Sequence, residues 1–364
     1  MSTRKVSQHN VSRRDFLKAT ACGVLGGIAS LSVPRVVPAA VSSKAPSRAA
    51  LVKGDTRADN VFKALKLVEA DIRRGLAKKK RVVIKPNMVG TNIQLCASHA
   101  DCLEAILEFL KPLVKEEVII AESPGGSPAA EGYENYGYYR LKKKYRVRFV
   151  DLDQEPFTIG YVIDPRFYPQ AVRFSRLLLD PDTYVISSAV MKTHDRAVVT
   201  LSLKNIVVGA AIKDQGFRWG RGGRGSTNDK PLIHGGPSNE GINYNLFMLA
   251  RKLHPDLAVI DGFQGMEGNG PMGGTPVDHG VAVASTDWLA ADRIGVELMG
   301  FDFQKVGYLW FSAQGGLGEG DLSKIEVLGE KVEEHVRHYR PHASVERQYR
   351  WIEGPQVTWP NPIR

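Results

Sequence analysis

Six short runs of β-branched and apolar residues punctuate the chain: Val82-Val83-Ile84, Val118-Ile119-Ile120, and the segments 147–150, 184–186, 257–260 and 281–284. Each is too short for a helix and lacks polar alternation, which predicts strands covered on both faces. Longer stretches with helical spacing lie between several of them, over 99–113, 136–145, 242–253 and 287–299. The last begins with Thr286 or Asp287 placed as an N-cap. Strands alternating with helices predict an α/β fold, a mostly parallel open sheet with helices on both faces. Residues 156–180 break the rhythm and predict an antiparallel excursion. Residues 40–60 are Ser/Ala-rich and read as a linker, which leaves 61–330 as the α/β domain. Residues 331–364 form a tail, with a helix predicted from Glu330 to Tyr339 and an extended end. Such a tail packs over the protein's own surface or over a neighbouring subunit, so a homo-oligomer stays open.

Polar residues gather where these strands end. Lys85-Pro86-Asn87 follows the first run, Glu122-Ser123-Pro124-Gly125-Gly126 the second, Lys192-Thr193-His194 the fourth, and Asp261-Gly262 with Glu267 the fifth. In an open parallel sheet the carboxyl ends of the strands line one edge, where ligands bind. Four strands delivering Lys, Asn, Glu, His and Asp to that edge favour a site over four unrelated solvated turns. His194, Lys192 and Glu122 are the candidate catalytic groups, a histidine near neutrality and a carboxyl being suited to acid–base work. Lys85, Asn87, Lys204 and Asn205 are candidates for holding a small anionic ligand, phosphate or carboxylate. Asp261 and Glu267 are candidate ligands for a divalent metal ion, the one cofactor this pattern suggests.

Two glycine-rich stretches bear on the same edge. Gly262 to Gly274 lacks the Lys-Ser/Thr ending of a nucleotide loop and reads as a site-shaping turn. Gly216 to Gly225 carries Trp219 among arginines, and reads either as a lid over an anion or as a disordered surface loop. His335, His338 and His342 in the tail read better as a solvated face than as metal ligands, because Pro341 separates the third from the other two.

The N-terminus changes the charge balance and the expected compartment. Arg4, Lys5, Arg13, Arg14 and Lys18 precede an apolar run from Ala19 to Val33, followed by Val37-Pro38-Ala39-Ala40. Ser12-Arg13-Arg14-Asp15-Phe16-Leu17-Lys18 resembles a twin-arginine export signal, so residues 1–39 are expected to be removed and the mature protein to be periplasmic. The partner this implies is the twin-arginine translocase during export. Setting aside six basic residues and one acid lowers the balance from +10 to about +5, with 43 basic and 38 acidic residues left. That weakens the case for a nucleic-acid partner, and none is expected. No later apolar run reaches spanning length, so no membrane span is expected in the mature chain. Cys96 and Cys102 remain after cleavage; free burial is favoured over a disulfide. No iron–sulfur cluster is expected, since the ordinary clusters take four protein ligands.

The stretches Lys85-Pro86-Asn87-Met88-Val89-Gly90, Ala121-Glu122-Ser123-Pro124-Gly125-Gly126, Asp151-Leu152-Asp153 and Met191-Lys192-Thr193-His194 resemble the domain-of-unknown-function 362 family. The likeness continues through Leu201-Ser202-Leu203-Lys204-Asn205, Val259-Ile260-Asp261-Gly262 and Gly265 to Pro271. It implies a single α/β unit whose motif residues fall at strand ends; some relatives carry ferredoxin-type domains, whose cysteine motif is absent here. The expected activity is an enzyme acting on a small anion, by metal-assisted hydrolysis or by proton-abstraction isomerisation. The alternative is a non-catalytic ligand- or metal-binding accessory protein of a periplasmic redox system.

Overall fold

A computed structural model describes residues 46–220, 226–235 and 240–353. The export motif and its cleavage region lie outside the described residues. A nine-stranded mixed sheet forms the core, built from β1 (Ser47–Lys53), β2 (Arg81–Pro86), β3 (Val118–Glu122), β4 (Val147–Asp151), β7 (Thr183–Thr193), β8 (Val199–Thr200), β9 (Leu257–Glu267), β10 (Thr275–Ser285) and β11 (Ile325–Gly329). Between them in sequence, β5 (Phe157–Ile163) and β6 (Pro169–Ser175) pair antiparallel as a separate ribbon, the excursion expected at 156–180. The spatial order is β11-β1-β10-β9-β7-β2-β3-β4, with the short β8 paired to β7. The block β9-β7-β2-β3-β4 is parallel throughout; β10 runs antiparallel to both β9 and β1.

Alternation along the strands divides the core between two faces. Val82, Ile84, Ile120, Ile186 and Val259 pack on one side, beneath α1 (Arg57–Leu67) and α2 (Ala100–Leu110). Val83, Ile119, Val185, Ile260 and Val283 pack on the other, beneath α3 (Ser202–Ala210), α4 (Glu240–Ala250), α5 (Trp288–Leu298) and α6 (Gly307–Gln314). Every residue of β7 is buried, as befits a strand with helices over both faces. The Asp287 side chain accepts from the backbone N–H groups of Leu289 and Ala290 and so caps α5. Among the described residues, no helix is long and apolar enough to cross a membrane.

Three sequence expectations are corrected here. The described part of the 40–60 linker holds β1, inserted between β10 and β11, followed by the start of α1. Its Ser/Ala-rich composition conceals the apolar run Ala49-Ala50-Leu51-Val52, which is buried. The helix expected over Glu330–Tyr339 is only a 3₁₀ turn at Val332–Glu334. Beyond it the chain straightens, Arg337 and Tyr339 donating backbone N–H bonds to Leu298 and Met299 carbonyls, and Tyr339 buries its ring beside His279. Those tertiary bonds replace the helical ones. The segment 136–145 is likewise a short 3₁₀ helix, Tyr138–Lys143. Cys96 and Cys102 are free and buried, as expected.

Candidate functional site

Lys85 and Glu122 end β2 and β3, Lys192 lies near the end of β7, and His194 follows it. Lys204 and Asn205 stand in the first turn of α3, whose N-terminus is fixed by Asp292: its two carboxylate oxygens accept from the backbone N–H groups of Ser202 and Leu203 at 2.7 and 3.0 Å. Burial raises the Asp292 carboxyl to about 7, and these two bonds oppose that rise. Seven of the expected residues therefore meet at one edge of the parallel block. Six of them, Lys85, Asn87, Glu122, His194, Lys204 and Asn205, line a cavity of about 850 Å³.

A continuous polar network ties this wall together. Lys85 Nζ contacts Glu122 Oε1 at 2.7 Å, Asn205 Oδ1 at 3.1 Å and the Pro86 carbonyl at 2.9 Å. Asn205 Oδ1 also accepts from Asn87 Nδ2 at 3.1 Å. Lys192 donates to Asn87 Oδ1. Lys192 does not line the cavity; it lies behind Asn87, so its contact with a ligand would be indirect. A Cβ on Gly209 would stand 1.9 Å from Lys85 Cε, so only glycine there leaves room for the Lys85 stem. Burial raises the Glu122 carboxyl and lowers the Lys85 ammonium, bringing their proton affinities together against their mutual attraction.

Three buried lysines have no carboxylate within ion-pairing distance among the described residues. Lys192 is held by Asn87 alone; Lys204 Nζ lies 2.9 Å from His194 Nε2; Lys230 donates to the carbonyls of Val208, Gly209 and Ala211. Burial lowers them to about 7, 8 and 7 respectively. An unneutralised buried ammonium is costly, and an anion in the cavity would relieve that cost.

His194 joins Lys204 to the surface. Its Nδ1 lies 3.0 Å from the Arg196 backbone nitrogen and 3.1 Å from a carboxylate oxygen of half-exposed Asp195. With Nδ1 accepting from Arg196, the ring proton sits on Nε2 and is donated to a neutral Lys204 amine. For Nε2 to accept from a Lys204 ammonium the ring proton must move to Nδ1, where Asp195 Oδ1 stands 3.1 Å away. The ring thus stands between two cavity-lining groups, with Nε2 toward Lys204 and Nδ1 toward the Arg196 N–H and the Asp195 carboxylate. His234 stacks on His194 at 5.8 Å between centroids. Its Nδ1 donates to the Lys230 carbonyl at 2.9 Å, and burial lowers it to about 3, so this second imidazole is neutral.

The two expected metal ligands are not brought together. Asp261 is paired with Arg57 at 2.9 Å and borders a separate, smaller cavity; Glu267 accepts from the Arg340 backbone N–H at 2.9 Å. The two carboxylates face different arginines, and neither lines the main cavity. The tail histidines also fail to converge: His335 sits 3.1 Å from Glu330, while His342 reaches the cavity wall.

Sequence reasoning missed Asp195, Lys213, Lys230, His234 and Asn228. Lys213 pairs with Asp153, which accepts from Ser123 Oγ at 2.6 Å and so braces the end of β3. Lys213 follows the apolar Ala210-Ala211-Ile212, and a lysine closing such a run was the available signal. Gly262 to Gly274 does shape the site, placing Asn269, Pro271 and Met272 on the wall. The described part of the Arg/Gly stretch carries Trp219 to the cavity mouth.

A thylakoid-associated protein of Synechocystis sp. is 26% identical over 225 residues, covering 61% of this chain and 64% of that protein. The chain thus spans a little under two thirds of that relative's length. The lactate racemase apoprotein from Thermoanaerobacterium thermosaccharolyticum is 14% identical with a TM-score of 0.41, covering 70% of this chain and 57% of that one. A Thermotoga maritima protein is 16% identical with a TM-score of 0.37, covering 62% and 55%. Likenesses this weak carry no functional argument. The domain of unknown function DUF362 matches residues 82–297, more than half of the 364-residue chain, and the protein belongs to that family.

Proposed function

We propose that this protein is an enzyme that binds a small anion in the strand-end cavity and transfers a proton to or from it. One observation carries the reading: three buried lysines without carboxylate partners lie in or directly behind one cavity wall. Lys204 binds the anion, and Lys230, whose Nζ donates to three carbonyls, adds positive charge at the wall. Asn205, with both amide hydrogens donated to the Lys85 carbonyl and Ser187 Oγ, positions Lys85, while Lys192 orients Asn87 and adds positive charge from behind. Lys204 is the acid–base group, with His194 relaying its proton to Asp195. Glu122, sharing a hydrogen bond with Lys85, is the second acid–base candidate. Proton-abstraction isomerisation is favoured over metal-assisted hydrolysis, because the candidate metal carboxylates are each engaged by an arginine elsewhere. The paired arginines and apolar run at the N-terminus support export as a folded protein to the periplasm.

The test is proton exchange. A panel of carboxylates with acidic C–H bonds is incubated with the mature protein in D2O and followed by NMR. The reading expects deuterium to enter at least one of them, and His194→Gln and Lys204→Met to slow that entry at least ~100-fold. Stoichiometric binding with no exchange in any carboxylate would instead make this a ligand-binding accessory protein.

A further inference from the structure

The cavity is larger than a bare phosphate or acetate needs, and its walls are of two kinds. Lys204 and Lys230 supply positive charge. Trp219, Met88, Pro271 and Met272 supply an apolar surface in the same enclosure.

Trp219 is fixed in an unusual way. Its backbone N–H donates to the Gly126 carbonyl at 3.0 Å, and its neighbour Arg218 pairs with Glu131 at 2.5 Å. The indole lies lengthwise on Gly125 and Gly126: a Cβ on Gly126 would stand 2.0 Å from the indole Cδ2, and one on Gly125 2.7 Å from Cη2. No other residue type fits beneath the ring. Despite this seating the side chain is 51% exposed, and it lines the cavity. A large aromatic ring held flat on backbone, with its remaining surface open to a ligand-sized space, has the form of a stacking platform.

We infer that the ligand is an aromatic carboxylate, its charged group on the lysine wall and its ring stacked on Trp219. This rests on the anion-binding reading above and adds the substrate class. The geometry divides the work: the lysines recognise charge, and the indole recognises a flat unsaturated body. A saturated ring of equal size would fill the same space without the stacking, and acetate would reach only the lysines.

The mature protein is titrated by calorimetry with 2-naphthoate, its saturated counterpart decahydronaphthalene-2-carboxylate, and acetate, in buffer free of phosphate and other carboxylates. The inference expects 2-naphthoate to bind at least about tenfold more tightly than the other two, with quenching of tryptophan fluorescence. Trp219→Ala should abolish both the preference and the quenching while leaving acetate binding unchanged. Trp219→Phe should keep most of the preference. Gly126→Ala, which retains the indole but removes its seat, should lose the preference as well. Equal affinity for the three acids, or an unchanged preference in Trp219→Ala, overturns the platform and leaves the anion site standing. Failure of every acid to bind overturns the anion site and the platform together.

Discussion

Replacing Lys230 with methionine removes one of the buried amines that lacks a carboxylate, and the consequence for stability depends on pH in a defined direction. In the folded protein this group titrates near 7 because of burial, whereas an unfolded lysine titrates near 10.4. Between those values the unfolded chain binds a proton that the folded chain does not. Stability of the ligand-free protein therefore gains from Lys230 as pH rises, by ~1.4 kcal/mol per pH unit. From pH 7.5 to 9.0 that amounts to ~2 kcal/mol, present in the parent and absent in Lys230→Met. The variant also leaves the carbonyls of Val208, Gly209 and Ala211 without this donor. That costs ~1–3 kcal/mol, but equally at every pH, so it cancels from the slope. Urea unfolding of both proteins in bis-tris propane, without phosphate or carboxylates, measures the difference directly. A parent–variant difference constant to within ~0.5 kcal/mol over this range would refute the claim that Lys230 is buried with a depressed proton affinity.

Other perturbations test separate parts of the account. Gly209→Ala drives a methyl into the Lys85 stem, and should weaken anion binding at least ~10-fold while costing ~1–3 kcal/mol by urea unfolding. Arg57→Ala leaves Asp261 buried and unpaired; it should cost ~3–5 kcal/mol yet leave anion affinity unchanged by calorimetry, since that pair lies outside the main cavity. Cys96 and Cys102 should resist a thiol reagent in the folded protein and both react in urea, because each is buried and burial raises both thiols. Asp195→Asn should slow proton exchange, because it removes the carboxylate 3.1 Å from His194 Nδ1, and should not weaken anion binding, because it takes a negative charge off the cavity wall.

The sheet was legible in the sequence because strands covered on both faces are written as uninterrupted apolar runs. The ends of those strands were less so. β7 continues past Ile186 through Ser187 to Lys192, polar residues that remain buried because remote groups satisfy them, the Ser202 carbonyl for Ser187 and Asn87 for Lys192. The first strand was hidden for the opposite reason: alanines fill the space under α1 without giving a β-branched signal. Within the site, Lys85, Asn87, Glu122 and His194 were found because topology alone carries strand ends to one edge, whereas Lys204 and Asn205, in the first turn of α3, stood out by residue type and by the stretch that resembles the family. Lys230 and His234 were not, since they arrive on a short helix after a glycine-rich stretch, Lys230–Ile233, with no local pattern to mark it. Asp261 and Glu267 misled because a carboxylate at a strand end looks the same in sequence whether it faces a ligand or an arginine.

The central claim is that unneutralised lysines make this cavity an anion site, and proton linkage tests it most directly. At pH 8 Lys192 and Lys230 are largely neutral and Lys204 is about half protonated, given their values of about 7, 7 and 8. A bound anion raises all three, so binding must draw protons from solution. Calorimetric titration of 2-naphthoate in two buffers of different ionisation enthalpy counts those protons. The account predicts uptake of roughly one to two protons per ligand at pH 8, and affinity that falls as pH is raised further. Binding with no proton uptake, or with proton release, would contradict it.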